Sequence, residues 1–197
     1  MAFNPILFYE AGKPRNQLLL DKFPAELAFS INKLSSSYTG YCMQIRRSSD
    51  DATLDVSFID NIVATASILS FVGVNSAFIT ILYNQGSLGS LYDMTQSTNA
   101  TQPYIVLNGI LQTLNGKPSI RYSGSQYLNM SSSYTHSTSN FSIFGYGKRN
   151  SAGVSLTILS SNGTGTLLTH YFDNNYYFQT NNAYNVSITT DVTFISE

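Results

Sequence analysis

Tryptophan is absent, cysteine occurs once, and charged side chains make up only 11% of the 197 residues, under half the usual share. Each shortage excludes something. With Cys42 alone no intrachain disulfide forms, so the chain is not a disulfide-stapled scaffold, and a lone thiol between Tyr41 and Met43 reads as core. Ten basic and eleven acidic residues leave a net charge of −1. No global field then draws in nucleic acid or an anionic membrane, and neither partner is expected. No apolar run approaches the roughly 18 residues of a spanning helix. The opening, MAFNPILFYEAGKPRN, lacks a basic start, a long apolar stretch and a small-residue cleavage site, which predicts that no signal peptide is present.

What is present is aromatic and hydroxylic. Fourteen tyrosines and twelve phenylalanines stand among many Ser, Thr and Asn residues, and 197 residues suit one domain with a sizeable core. Charge is uneven. Residues 1–60 hold seven carboxylates and six of the ten Lys/Arg, leaving eight charges for residues 61–197.

Pro5 and Pro14 bracket the apolar cluster Ile6, Leu7, Phe8 and Tyr9, so residues 1–16 read as an arm seeking a partner surface. Residues 17–197 read as one domain. In FPAELAFSINKL, Pro24 suits a first helical turn, and Leu27, Ala28, Ile31 and Leu34 recur at helical spacing. A second short helix is predicted with Asp60 as its cap, Ile62, Val63, Ala66 and Leu69 on one face, and Gly73 at its end.

Nearly everything else reads as strand. Tyr41, Met43 and Ile45 alternate with polar neighbours, as do Leu54, Val56 and Phe58, with residues 48–52 short enough for a hairpin connection. Further strands are expected at 77–83, 104–107, 119–122, 141–146, 154–159, 167–172, 176–179, 186–189 and 192–195. Turn signals separate them, among them Asn108-Gly109, Asn115-Gly116 and Asn162-Gly163. The fold class expected is mainly β: an antiparallel sandwich of jelly-roll type with one or two short helices.

The order LLLDKFPAELAFSINKLSSSYTGYCMQIRRSSDDATLDV, then ILSFVG, AFITILYNQGSLGS, DMTQSTNATQPYIV and NGKPSIRYSGSQYL, resembles a concanavalin-like sandwich domain common in phage tail and other virion proteins. It is similar also to the N-terminal part of the family 54 α-L-arabinofuranosidase catalytic domain. The resemblance covers roughly residues 18–128. It implies the fold, a virion location, virion proteins as partners and assembly with further copies of the chain. Where the family usually reads Tyr-Asp-Gln-Ser-Gly-Asn-Gly, this chain has Tyr83-Asn84-Gln85-Gly86-Ser87-Leu88-Gly89, so an amide replaces a carboxylate.

Chemistry can be weighed residue by residue. Glycoside hydrolysis needs two carboxyls about 5–9 Å apart, and residues 129–197 offer Asp173, Asp191 and Glu197. Asp173 lies in DNNYY, where a turn accounts for it. His136 and His170 have no partners at zinc-ligand spacing, Gly145-Tyr146-Gly147-Lys148 lacks the phosphate-loop spacing, and Asp173-Asn174-Asn175 lacks a calcium loop. No catalytic residue, metal or cofactor is expected. Asn99, Asn129, Asn140, Asn162 and Asn185 begin Asn-x-Ser/Thr triplets, which this composition produces by chance.

Three residue groups remain. Arg46, Arg47, Asp50, Asp51 and Asp55 fall on the first hairpin, where strand alternation sends adjacent arginines to opposite faces. One arginine is expected in a fork with an Asp that ties the hairpin down, its neighbour solvated. The alternative is a grip on a sugar or an adjoining subunit. Tyr171, Tyr176, Tyr177 and Tyr184 gather near the C-terminus, suited to a subunit interface, a sandwich core or a sugar platform. Asn84, Gln85 and Tyr176 are the candidate sugar contacts. The function expected is a non-enzymatic virion component, a head decoration or part of a tail or fibre. A carbohydrate-binding module and a glycoside hydrolase are the alternatives.

Overall fold

The computed structural model describes residues 17–134 in full and the backbone of residues 156–157, 169–172 and 176–179. The arm residues Ile6, Leu7, Phe8 and Tyr9, the candidate interface residue Tyr184 and the acids Asp173, Asp191 and Glu197 lie outside that description. The chain divides into two compact units after Thr135. It is mainly β, and every strand pair among the described residues is antiparallel.

Alternating apolar residues make β1 (Met43–Arg47) and β2 (Thr53–Val56) a hairpin, with Met43 opposite Val56 and Ile45 opposite Leu54. The other edge of β1 pairs with β5 (Ala77–Leu82), which is the pivot of the first unit's sheet. The end of β5 pairs with β6 (Met94–Thr95) and its start with β7 (Tyr104–Leu107). β8 (Ile110–Leu111) extends β7, and β11 (Asn129–Met130) extends β6, giving seven strands.

Short pieces complete this unit. β3 (Phe58–Ile59) and β4 (Ile62–Val63) form one ribbon, β9 (Thr113–Leu114) and β10 (Lys117–Pro118) another. Asn108 and Asn115 have φ of 50° and their following glycines 76° and 73°. That is the left-handed pair a two-residue type I′ hairpin loop requires, so these two Asn-Gly signals mark real turns, while Asn162-Gly163 lies outside the described residues. Helix α1 (Leu19–Lys22) is one turn long, and α2 (Thr65–Val72) turns Ile68 and Val72 inward. They join the fully buried Met43, Ile45, Ile79 and Ile105 in the core.

Both predicted helices need correction. Residues 24–34 are irregular, with bends at 26–27 and 31–32, rather than helical, because the backbone groups of Glu26, Ala28, Ser30, Asn32 and Leu34 bond to side chains from another part of the chain instead of to each other. The second helix starts at Thr65, because Asp60 and Asn61 take φ of 51° and 67° and turn the chain between β3 and β4. It does end at Gly73, whose φ of 59° favours glycine. The strand expected at 119–122 is reduced to one bridge between Arg121 and Tyr104.

The second unit contributes a three-stranded sheet of β12 (Leu156–Thr157), β13 (Thr169–Phe172) and β14 (Tyr176–Gln179). Tyr171 pairs in register with Tyr177 and Phe172 with Tyr176.

Candidate functional site

The five charged residues of the first hairpin separate into three arrangements. Arg47 forks onto Asp50, Nε to Oδ1 at 2.9 Å and Nη2 to Oδ2 at 2.6 Å, and its Nη1 donates to the Phe71 carbonyl at 2.5 Å. The guanidinium carbon sits 4.6 Å from the centre of the Phe71 ring. One side chain thereby joins the hairpin loop to the last turn of α2, and the fork holds the Asp50 carboxyl down at about 2.

Arg46 is not solvated, contrary to expectation. It is 9% exposed, lies over the Phe78 ring at 5.1 Å, and donates to Gln102 Oε1 at 2.9 Å and Asp51 Oδ1 at 2.5 Å. Asp51 reaches it from a left-handed backbone, φ 58°. Gln102, 1% exposed, donates from its Nε2 to the Gln96 carbonyl at 2.9 Å. A buried guanidinium thus finds a charge, an amide and an aromatic face, which together offset its lost hydration.

Asp55 takes no part in these pairs. Its Oδ1 accepts from the Tyr83 hydroxyl at 2.7 Å and from Gln44 Nε2 at 3.1 Å. The Tyr41 and Tyr83 rings stand 6.4 Å apart at 44°, and Tyr41 is exposed. Burial first, then the Asp55 hydrogen bond, raises the Tyr83 phenol well above its ordinary value, so it stays a donor at any physiological pH. The result is a small platform: the exposed Tyr41 ring and the half-buried Tyr83 ring beside an exposed carboxylate whose geometry is already set.

Asn84 and Gln85 cannot serve as sugar contacts, because they are 2% and 4% exposed and their amides are occupied. Asn84 Oδ1 accepts from the N–H groups of Ala28 and Gly86, and its Nδ2 donates to the carbonyls of Glu26 and Gly89. Gln85 Nε2 donates to the Ser30 and Asn32 carbonyls, while its Oε1 accepts from Leu34 N–H at 2.8 Å. Gly86 lets the two backbones touch, since a Cβ there would stand 2.6 Å from the Glu26 carbonyl carbon and 2.9 Å from the Ala25 oxygen. Beneath this clamp, buried Asp93 accepts from the Asn84 N–H at 2.8 Å, and burial pushes its carboxyl pKa up.

Nothing in residue spacing pointed to Asp93, Gln96 or Gln102, whose partners lie from two to fifty-six positions away in no local pattern. Tyr41 was visible only as the end of an alternating run, and Tyr83 as the end of a strand and the first residue of the Tyr83–Gly89 stretch. Tyr171, Tyr176 and Tyr177 are placed by backbone register alone. Among the described residues no cluster of three or more His, Cys, Asp or Glu forms a metal site, and no described helix is long and apolar enough to cross a membrane. No family model, no curated protein and no solved structure matches the chain.

Proposed function

We propose that the chain is a non-enzymatic structural protein of a phage particle, a head decoration or a tail or fibre component, built as a jelly-roll sandwich and acting through subunit contacts. The observation that carries this reading is an apolar ridge around the Asn108-Gly109 turn. Leu107 and Ile110 flank the turn and are 40% and 69% exposed, and Val74, 85% exposed, comes from the α2–β5 connection. Gly109 donates to the Asn75 carbonyl at 2.8 Å, which seats the turn beside Val74. Meanwhile Asp21, Asp50, Asp51, Asp55 and Asp93 each accept bonds from the chain's own framework. A rigid surface of this kind binds without charge because little conformational freedom is left to lose.

Antibody raised against the chain should label purified particles in negative-stain electron microscopy, and Val74→Lys with Ile110→Lys should abolish that incorporation. Particles lacking the chain would overturn the reading. Carbohydrate binding is a second reading, favoured by the Tyr41–Tyr83–Asp55 platform, where stacking faces adjoin a fixed acceptor. A glycan array on which Tyr41→Ala abolishes a signal would select it.

A further inference from the structure

From the contrast between two Asn-Gly turns we infer that Asn115 is a site of spontaneous deamidation, whereas Asn108, with the same neighbouring residue and the same turn class, is protected. In this reaction the backbone nitrogen of the following glycine attacks the asparagine Cγ. The new C–N bond closes a five-membered succinimide as the Cγ–Nδ2 bond breaks. The glycine proton and the amide nitrogen leave together as ammonia. Water then opens either succinimide carbonyl, giving aspartate or isoaspartate. No oxidant, metal or enzyme enters the balance. Glycine is the fastest successor because no side chain shields its nitrogen.

Sequence makes the two sites equivalent; structure does not. At the first turn the attacking nitrogen is engaged, since Gly109 N–H donates to the Asn75 carbonyl at 2.8 Å. Asn108 is held through its backbone and its side chain by one residue: its N–H donates to Ser76 Oγ at 2.9 Å, and the Ser76 hydroxyl donates to Asn108 Oδ1 at 3.4 Å. A Cβ on Gly109 would come within 3.1 Å of the Gly73 carbonyl oxygen, so the turn rests on the end of α2. This hairpin also belongs to the seven-stranded sheet. For the nitrogen to reach Cγ, the turn must leave its left-handed conformation, which here means breaking each of those contacts.

At the second turn none of them is found among the described residues. Asn115 and Gly116 are exposed, nothing lies within 4 Å of a Cβ on Gly116, and the Asn115 side chain bonds to no other described residue. The ribbon that carries the turn is two strands of two residues, Leu114 opposite Lys117 and Thr113 opposite Pro118, outside the main sheet. A two-stranded ribbon of this length opens at little cost, and local opening gives the chain its reactive geometry. The product adds a negative charge two residues from Lys117, and isoaspartate lengthens the main chain by a methylene inside the turn. The reaction is irreversible, so it accrues with the age of the molecule.

The test incubates the full chain at mildly alkaline pH and follows both sites by peptide mapping, with isoaspartyl methyltransferase labelling to identify isoaspartate. The urea-denatured chain serves as the reference. Denatured, the two sites should convert at similar rates. Native, Asn115 should convert several-fold faster than Asn108, and Ser76→Ala should narrow that gap by accelerating Asn108 alone. A native Asn115 as slow as Asn108 would overturn the inference, as would a gap of the same size in the denatured chain.

Discussion

An amide at position 84 is a requirement of the clamp, because the side chain gives two bonds and receives two. A carboxylate only receives. Asn84→Asp would take from the Gly89 carbonyl its one donor among the described residues, leave the Glu26 carbonyl with the Leu88 N–H alone, and set a second negative charge beside Asp93, whose Oδ1 accepts the residue's own N–H. The expected loss is about 2–3 kcal/mol in urea unfolding, with Asn84→Ser intermediate. The amide at this position therefore has a local physical reason. Two carboxyls make opposite predictions for acid. Asp50 is held low, so its contribution is complete above the unfolded value near 3.9 and is lost as pH falls toward about 2. Asp93 is raised by burial, so its charged form costs stability above its folded value and that cost disappears on acidification. Asp93→Asn keeps the oxygen that Asn84 N–H needs. It should stabilise the chain at neutral pH and steepen its net loss in acid, measured as unfolding free energy against pH. An unchanged profile would remove Asp93 from this role.

At the scale of elements, strands were more legible than helices. Alternation in Met43, Ile45, Leu54 and Val56 reports a hairpin because the period of two is local, and the Asn-Gly turns are local too. Residues 24–34 carry a helical spacing, yet the side chains that capture their backbone lie more than fifty positions away. No window of sequence contains that competition. The same distance hides the Arg46–Gln102 contact. Gln85→Ala tests the capture directly, since three bonds to Ser30, Asn32 and Leu34 vanish together. Amide exchange in residues 25–34 should rise by orders of magnitude while the β1 and β5 amides keep most of their protection. Exchange that rose equally everywhere would mean that the segment and sheet open as one unit. Ile68→Ala, at a position with no exposure beneath the sheet, should instead lower global stability by about 2–5 kcal/mol.

For the molecule as a whole, the balance of forces sets how it can associate. A net charge of −1 gives neither steering nor appreciable self-repulsion, and the two described arginine–aspartate pairs lie within the first hairpin. The surface groups free to meet a neighbour include Val74, Leu107 and Ile110, gathered at one turn. If subunit contact uses that ridge, association should have a negative heat-capacity change, because apolar area leaves water. It should also hold nearly constant as salt is raised, since screening acts on charges and not on alkyl groups. Calorimetric dilution across a salt series measures both quantities on the same protein. Ile110→Lys places a solvated ammonium on the ridge, and it should weaken association at every salt concentration without changing the unfolding midpoint, because the residue is 69% exposed in the separate chain. Association that weakened steeply with salt, or that Ile110→Lys left intact, would place the contact on a different surface.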